Sequence, residues 1–367
     1  VGAELPSAAI VAVPKPSAVE LLLSLPLQVD GYRLTSLGQL VGNGFNRTTT
    51  LFWLEGDGEE GVGEDVTYEP EDHELLHAAH QSGFRLELPR KTTLGGFCRQ
   101  TEGLDLHPAP PRHPSSRRYR LWALHSAALD LALRQAGLSL HEALGLEPRP
   151  LRFVVSPRLA DPPSAKPLRR LAERFPGVRL KLDPTPAWSA PLIAELAAGD
   201  RVDVLDLKAH YEGTVVDQRP SPELHRLLLE AFPRAVLEDP SYGPATAPLL
   251  DPQLDRVSYD APLHGPADLD RLGHQVRIVN VKPSRLGSLP NLFAFLERCA
   301  RESIRAYGGG QFELGPGRGQ VQYLASLLYA EGPNDCAPAP YNLPEPPADL
   351  PESPLAVDPP SCGFRLG

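Results

Sequence analysis

Residues 277–287, RIVNVKPSRLG, decide how the chain is read. Ile278, Val279 and Val281 make a short apolar run of strand type, and Lys282 follows with no polar stretch before it. Pro283 then bars the run from continuing as a central strand. A buried, unpaired ammonium is costly, so the lysine needs a charged cavity at the strand's end.

The same grammar recurs on both sides. Short strands are predicted at LRFVVS (151–156), VRLKLDP (178–184), VDVLDLKA (202–209), AVLEDP (235–240), VSYDAP (257–262), VRIVNVKP (276–283) and IRAYGGG (304–310), and weakly at DCAPAP (335–340). Helical patterns fall between them at 165–175, 189–199, 221–232, 244–253, 266–273, 289–302 and 317–331. Strands alternating with helices of this length predict a parallel sheet, and about eight units over 151–342 predict a (β/α)8-type TIM barrel. A doubly wound open sheet is the alternative. The absence of a GxGxxG opening a helix after the first strand weakens a dinucleotide-binding reading.

Residues 1–150 read differently, as an α+β capping domain. RTTTLFWLEGDGEEGVGEDVTY (47–68) carries β-branched and aromatic runs broken at Gly-Asp-Gly, a hairpin signal. Helical patterns cover 70–82 and 118–145, the second interrupted by Gly137 and closed by Gly145. Residues 343–367 are a proline-rich tail expected to pack on the cap.

Composition narrows the function. The 367 residues carry a net charge of −10 spread along the chain, which argues against a nucleic-acid or basic membrane-surface protein. No run approaches the ~20 apolar residues of a membrane span. Four cysteines lie far apart without CxxC pairing, so thiolate metal sites are not expected and a reducing cytoplasm is. The N-terminus lacks the layout of a secretory signal. A homo-oligomer is left open.

The strongest signal is the row of ionisable groups at successive strand ends: Lys181, Asp206, Glu238, Asp260 and Lys282. A single strand-end carboxylate is usually a cap or loop anchor, and Asp239-Pro240 reads as turn chemistry. Five consecutive strands ending this way call for a shared cavity. Three neighbouring carboxylates repel unless a hard cation joins them, and oxygen ligation suits Mg²⁺, with Mn²⁺ not excluded. Lysines flanking such a cation have lowered pKa values and can serve as general bases, while the metal polarises a substrate carboxylate.

These residues resemble the enolase superfamily, most closely its muconate-lactonizing enzyme and o-succinylbenzoate synthase subgroup. The resemblance spans about 31–342. It lies in the order of strand-end groups, LEDP (237–240), NVKPSRLGSL (280–289), LWALHSAALDLALRQAGLSLHEALG (121–145), EEGVGED (59–65) and YGGGQFELGPGRGQ (307–320). It implies a Mg²⁺-dependent isomerase or lyase that abstracts a proton α to the carboxylate of a small substrate, giving a metal-stabilised enolate. Racemase or epimerase, cycloisomerase and dehydratase chemistry all remain open. Carried over, Asp206, Glu238 and Asp260 are the metal ligands, and Lys181 and Lys282 are the acid–base pair on opposite substrate faces. Arg179 stands where the family's strand-two pattern Lys-x-Lys has its first lysine, and Glu313 is the glutamate of the strand-seven motif. Lys208 replaces the Asn of an Asp-x-Asn pattern, Asp183 adds a carboxylate beside Lys181, and the spacing from Lys181 to Asp206 is a few residues short.

Two loops have two readings each. VGNGFNRT (41–48) is a specificity lid offering Asn43 and Arg47 to substrate, or a plain hairpin connection. GPGRGQ (315–320) is a phosphate site at a helix start, or a tight turn that needs glycine. Two other functions fit the same barrel: a Schiff-base aldolase using Lys282 or Lys181, and a non-catalytic barrel.

Overall fold

A computed structural model of the chain describes residues 9–159, 161–211, 218 and 221–366, without the side chains of residues 9, 10 and 43. The first half holds strands β1 (Ala9–Ile10), β2 (Pro26–Gln28), β3 (Gly31–Val41), β4 (Phe45–Gly56), β5 (Glu59–Asp65) and β6 (Lys91–Thr93). Its helices are α1 (Pro16–Ser24), α2 (Pro70–Gln81), α3 (Leu94–Thr101), α4 (Ser116–Ala136) and α5 (Leu140–Leu144).

Strands β3, β4 and β5 form an antiparallel sheet. Its β4–β5 turn is Asp57-Gly58, both at positive φ (51° and 77°), the conformation that matches strand twist in a two-residue hairpin. Helix α4 lies directly on β5. A methyl group on Gly61 would fall 2.2 Å from the Ala127 carbonyl oxygen, and one on Gly63 would fall 1.9 Å from that of Ala123. Gly137 ends α4 in the left-handed conformation (φ 64°), and Gly145 does the same for α5 (φ 63°). The 118–145 pattern is therefore two helices.

The second half alternates largely as expected: α6 (Lys166–Arg174), β7 (Leu180–Leu182), α7 (Ala190–Ala198), β8 (Val202–Asp206), α8 (Pro222–Ala231), β9 (Val236–Glu238), α9 (Ala247–Leu250), β10 (Val257–Tyr259), β11 (Ile278–Val281), α10 (Pro283–Leu286), α11 (Leu289–Arg301), β12 (Arg305–Gly308) and α12 (Pro316–Leu328), with a 3-10 helix, Pro266–Leu272, in place of the helix expected between β10 and β11. Strands β7 to β12 are parallel and ordered by sequence, and β1 adds antiparallel to β12. Between β12 and β7 the described residues make only single bridges, Gly309 to Asp335, Asn334 to Phe153, and Val155 to Leu180. The two terminal units expected as strands are thus single contacts. Strand β1 takes the β12 edge at 305–306, and prolines follow soon after Asp335.

Leu151 pairs with Leu355 of the tail, and farther on Phe364 is fully buried with its N–H on Asp130 of α4. The tail so reaches both halves. No helix among the described residues is long and apolar enough to cross a membrane.

Candidate active site

Alternation along the strands builds the site in layers. Val204, Val236, Ile278 and Tyr307, from β8, β9, β11 and β12, form a small apolar cluster. Two residues on, and so on the same strand face, come Asp206, Glu238 and Asn280, and Lys282 follows Asn280 by the same step. Asp206 and Glu238 are paired across β8 and β9. Lys181, Asp206, Glu238 and Asp260 are 1% exposed or less, and Lys282 6%. The five strand-end residues do converge.

The charges interlock. The Lys181 ammonium lies 2.6 Å from Glu238 Oε1, 3.1 Å from Asp206 Oδ2 and 3.2 Å from Asp335 Oδ2. Lys282 is 2.8 Å from Asp260 Oδ2, and Arg285, one turn on in α10, reaches Asp260 Oδ1 at 2.9 Å. Tyr307 and Asn280 donate to Glu238 at 2.5 and 3.1 Å, and Tyr211 donates to Asp260 at 3.1 Å. Asp239 accepts from the Asp260 and Ala261 N–H groups at 2.8 and 2.9 Å and so fixes the turn that carries Asp260. Lys208 donates to Asp206 and lies 3.8 Å from Asp183.

Burial would raise the Asp206 and Asp260 pKa values, but Lys208 and Lys181 on one, and Arg285 and Lys282 on the other, hold both below the ordinary carboxylate range. Glu238 is different. Burial pushes it up to about 7 despite Lys181, and burial with Asp260, Asp206 and Glu238 nearby pushes Asp239 well up. Burial disfavours the Lys181 ammonium, but Glu238, Asp206 and Asp335 outweigh it and hold its pKa well above the usual value. Lys282 is likewise raised, burial being outweighed by Asp260. The lowered lysine pKa expected from the sequence is therefore not what these carboxylates produce by themselves, since they favour the ammonium form.

The donor set suits a hard divalent cation. Asp206, Glu238 and Asp239 each offer an oxygen, all within 4.8 Å of one another. Six carboxylates (Asp183, Asp206, Glu238, Asp239, Asp260, Asp335) outnumber the four cations beside them (Lys181, Lys208, Lys282, Arg285), and burial with neighbouring carboxylates raises Glu238 and Asp239. A divalent cation among these oxygen ligands would relieve that crowding.

The other residues singled out from the sequence lie elsewhere. Arg179, just before β7, turns to Asp203, the residue skipped where the β7–β8 register shifts, and not to the acidic centre. Arg47 is fully buried and donates to the carbonyls of Val66, Thr67, Gln311 and Phe312. It clamps the segment after β5 to the loop after β12. Glu313 pairs with Arg318 at 3.0 Å and accepts from Gln311 N–H. The Asn43 side chain lies outside the described residues. At GPGRGQ the anion on the helix start is the chain's own: the Glu64 carboxylate accepts from Leu314, Gly315 and Gly317 N–H at 2.6–3.2 Å.

Sequence reasoning passed over Asp239, Arg285, Tyr307, Asn280 and Asp335. Alternation back from Lys282 was available for Asn280, and the step of three from Lys282 into α10 for Arg285, whereas Tyr307 comes in through its register with Asn280. Asp335 sits in a segment with no strand period to place it.

Two models of one family match the chain, "Domain of unknown function (DUF8230) N-terminal domain" over 20–143 and "Domain of unknown function (DUF8230) C-terminal domain" over 147–343. The chain belongs to this DUF8230 family. Solved structures share its fold. A member of the enolase superfamily from Listeria innocua Clip11262 superposes with a TM-score of 0.60 at 17% identity, covering 85% of this chain and 86% of that one. A dipeptide epimerase from Methylococcus capsulatus, complexed with Mg ion, gives 0.65 at 20% identity over 87% and 92%. A dipeptide epimerase from Enterococcus faecalis V583 gives 0.66 at 14% identity over 93% and 100%. The DUF8230 chain thus has the enolase-superfamily fold. No match to its sequence is found among curated proteins.

Proposed function

We propose that this protein is a divalent-metal-dependent isomerase or lyase that removes a proton α to the carboxylate of a small acid. Its site would stand on a (β/α)8-type barrel at about 151–342, beneath a cap drawn from the first half of the chain after β1, which itself joins the β12 edge. The bridges linking Gly309, Asp335, Asn334, Phe153, Val155 and Leu180 support a closed strand circle. The observation that carries the reading is the pair of buried lysines on one acidic centre, Lys181 at β7 and Lys282 after β11, each ion-paired to different carboxylates.

Asp206 and Glu238 would hold the cation, Mg²⁺ or Mn²⁺, with Asp260 as the third ligand that strand order implies; Asp239, whose oxygen lies within 4.8 Å of theirs, fixes the Asp260 backbone. A bound cation supplies Lewis acidity toward the substrate carboxylate and draws off the carboxylate charge that favours the ammonium forms of the lysines. Lys282 in its neutral form takes the α-proton from one side, and Lys181 as an ammonium returns one from the other. Returned to the same carbon, the proton completes a racemisation or epimerisation; delivered to a leaving group, it completes an elimination. Two structural neighbours are dipeptide epimerases, which supports the first outcome.

The test is proton NMR in D₂O with Mg²⁺ and a panel of dipeptides and N-acyl amino acids. The α-proton signal of at least one should wash out, and the washout should stop in Lys282→Ala. Exchange that persists in Lys282→Ala contradicts the assignment, as does a panel with no exchange at all.

A further inference from the structure

Lys208 departs from everything the site otherwise needs. Its ammonium bonds the Asp206 carboxylate, which Lys181 already pairs, and its own N–H donates to Asp206 Oδ1 at 3.2 Å. Its backbone has φ 53°, the left-handed region that a residue with a long side chain seldom adopts. That conformation folds the side chain back over the strand end, and only 14% of it is exposed. A second set of partners is within reach, with Asp183 Oδ1 at 3.8 Å and the Tyr211 ring centroid at 5.0 Å. The lysine can therefore leave Asp206 without becoming an uncompensated buried charge.

We propose that Lys208 is a tethered cation that competes with a divalent ion for Asp206, so that metal entry requires it to swing toward Asp183 and Tyr211. The inference rests on the metal site proposed above. Lys181 and Lys208 already share Asp206 Oδ2, and a divalent ion there would add two more positive charges to the same carboxylate, so every bound ion is opposed by the Lys208 charge. Metal binding in this chain is weaker than its carboxylates alone would give, and removing the Lys208 charge strengthens it.

The experiment is Mn²⁺ titration of the chelator-treated full chain, followed by the EPR signal of free Mn²⁺ and by calorimetry. Lys208→Gln and Lys208→Met should each bind about tenfold more tightly or better, a step of about 1.4 kcal/mol. Lys208→Arg, which keeps the charge, should stay near the wild type, and Glu238→Gln should lose binding. Equal or weaker binding in the uncharged variants overturns the competition while leaving the metal site standing. No Mn²⁺ uptake in the wild type or in the uncharged variants overturns both. If circular dichroism shows that both uncharged variants are unfolded, Lys208 is a structural ion-pair partner and the proposal falls.

Discussion

Gly309 shows how closely single residues are set around the lysines. A methyl group there would lie 2.7 Å from Lys282 Cε and 2.7 Å from Asn280 Oδ1. Gly309→Ala is therefore expected to cost about 1–3 kcal/mol in a urea melt. It should also displace Lys282, so proton exchange should fall much further than stability does. Unchanged exchange would mean that Lys282 does not need this position. At this scale the sequence was informative where periodicity fixes direction. Lys181, Asp206, Glu238, Asp260 and Lys282 lie at or within one residue of strand ends, and the strands bring them together. It misled at Arg179, whose partner is Asp203, the residue skipped in the β7–β8 register, and a skipped residue leaves no mark in residue types. Asp239 reads as a turn residue and is one (φ 47°), yet its carboxylate also borders the acidic centre.

Among elements, β5 links the halves. Its Gly61 and Gly63 admit α4, and the next residue, Glu64, caps the start of α12. EEGVGED and GPGRGQ, which read as separate motifs, are the two sides of this one contact. Nothing in either segment announces a partner about 250 positions away. Glu64→Ala leaves buried N–H groups without an acceptor and is expected to cost about 1–3 kcal/mol by urea denaturation. Glu64→Gln, which keeps one acceptor oxygen, should recover part of that loss. Equal effects of the two substitutions would count against a capping role. Gly63→Ala should destabilise at least as much, since the contact at 1.9 Å is with helix backbone and not with a flexible side chain.

For the molecule as a whole, stability should carry the signature of a buried neutral histidine. His125 on α4 accepts the Leu289 N–H through Nδ1 at 3.2 Å and meets Thr101 Oγ1 through Nε2 at 2.9 Å, joining α3, α4 and α11. Burial pulls its pKa down from 6.5 to about 3. Between those values the unfolded chain binds one more proton than the folded one. The contribution is complete above pH 6.5 and is lost as pH falls, by about 1.4 kcal/mol per unit from this group. The urea stability of His125→Gln should lose about that much slope between pH 4 and 6, and an unchanged slope would show that His125 does not stay neutral.

The N-terminal β unit was legible from β-branched and aromatic runs broken at Gly-Asp-Gly, and the parallel sheet from the strand–helix alternation that runs from β7 onward. The terminal units were not, since 151–155 and 334–335 are held by single bridges whose partners lie far along the chain. At the strand ends lies a buried acidic centre on which Lys181 and Lys282 pair with different carboxylates. The most direct test is anomalous diffraction from crystals grown with Mn²⁺. The expected result is one strong peak bonded to Asp206 and Glu238, with Lys181 and Lys282 on either side of it. Crystals with those carboxylates ordered on Lys181 and Lys208 and no Mn²⁺ peak beside them would contradict it.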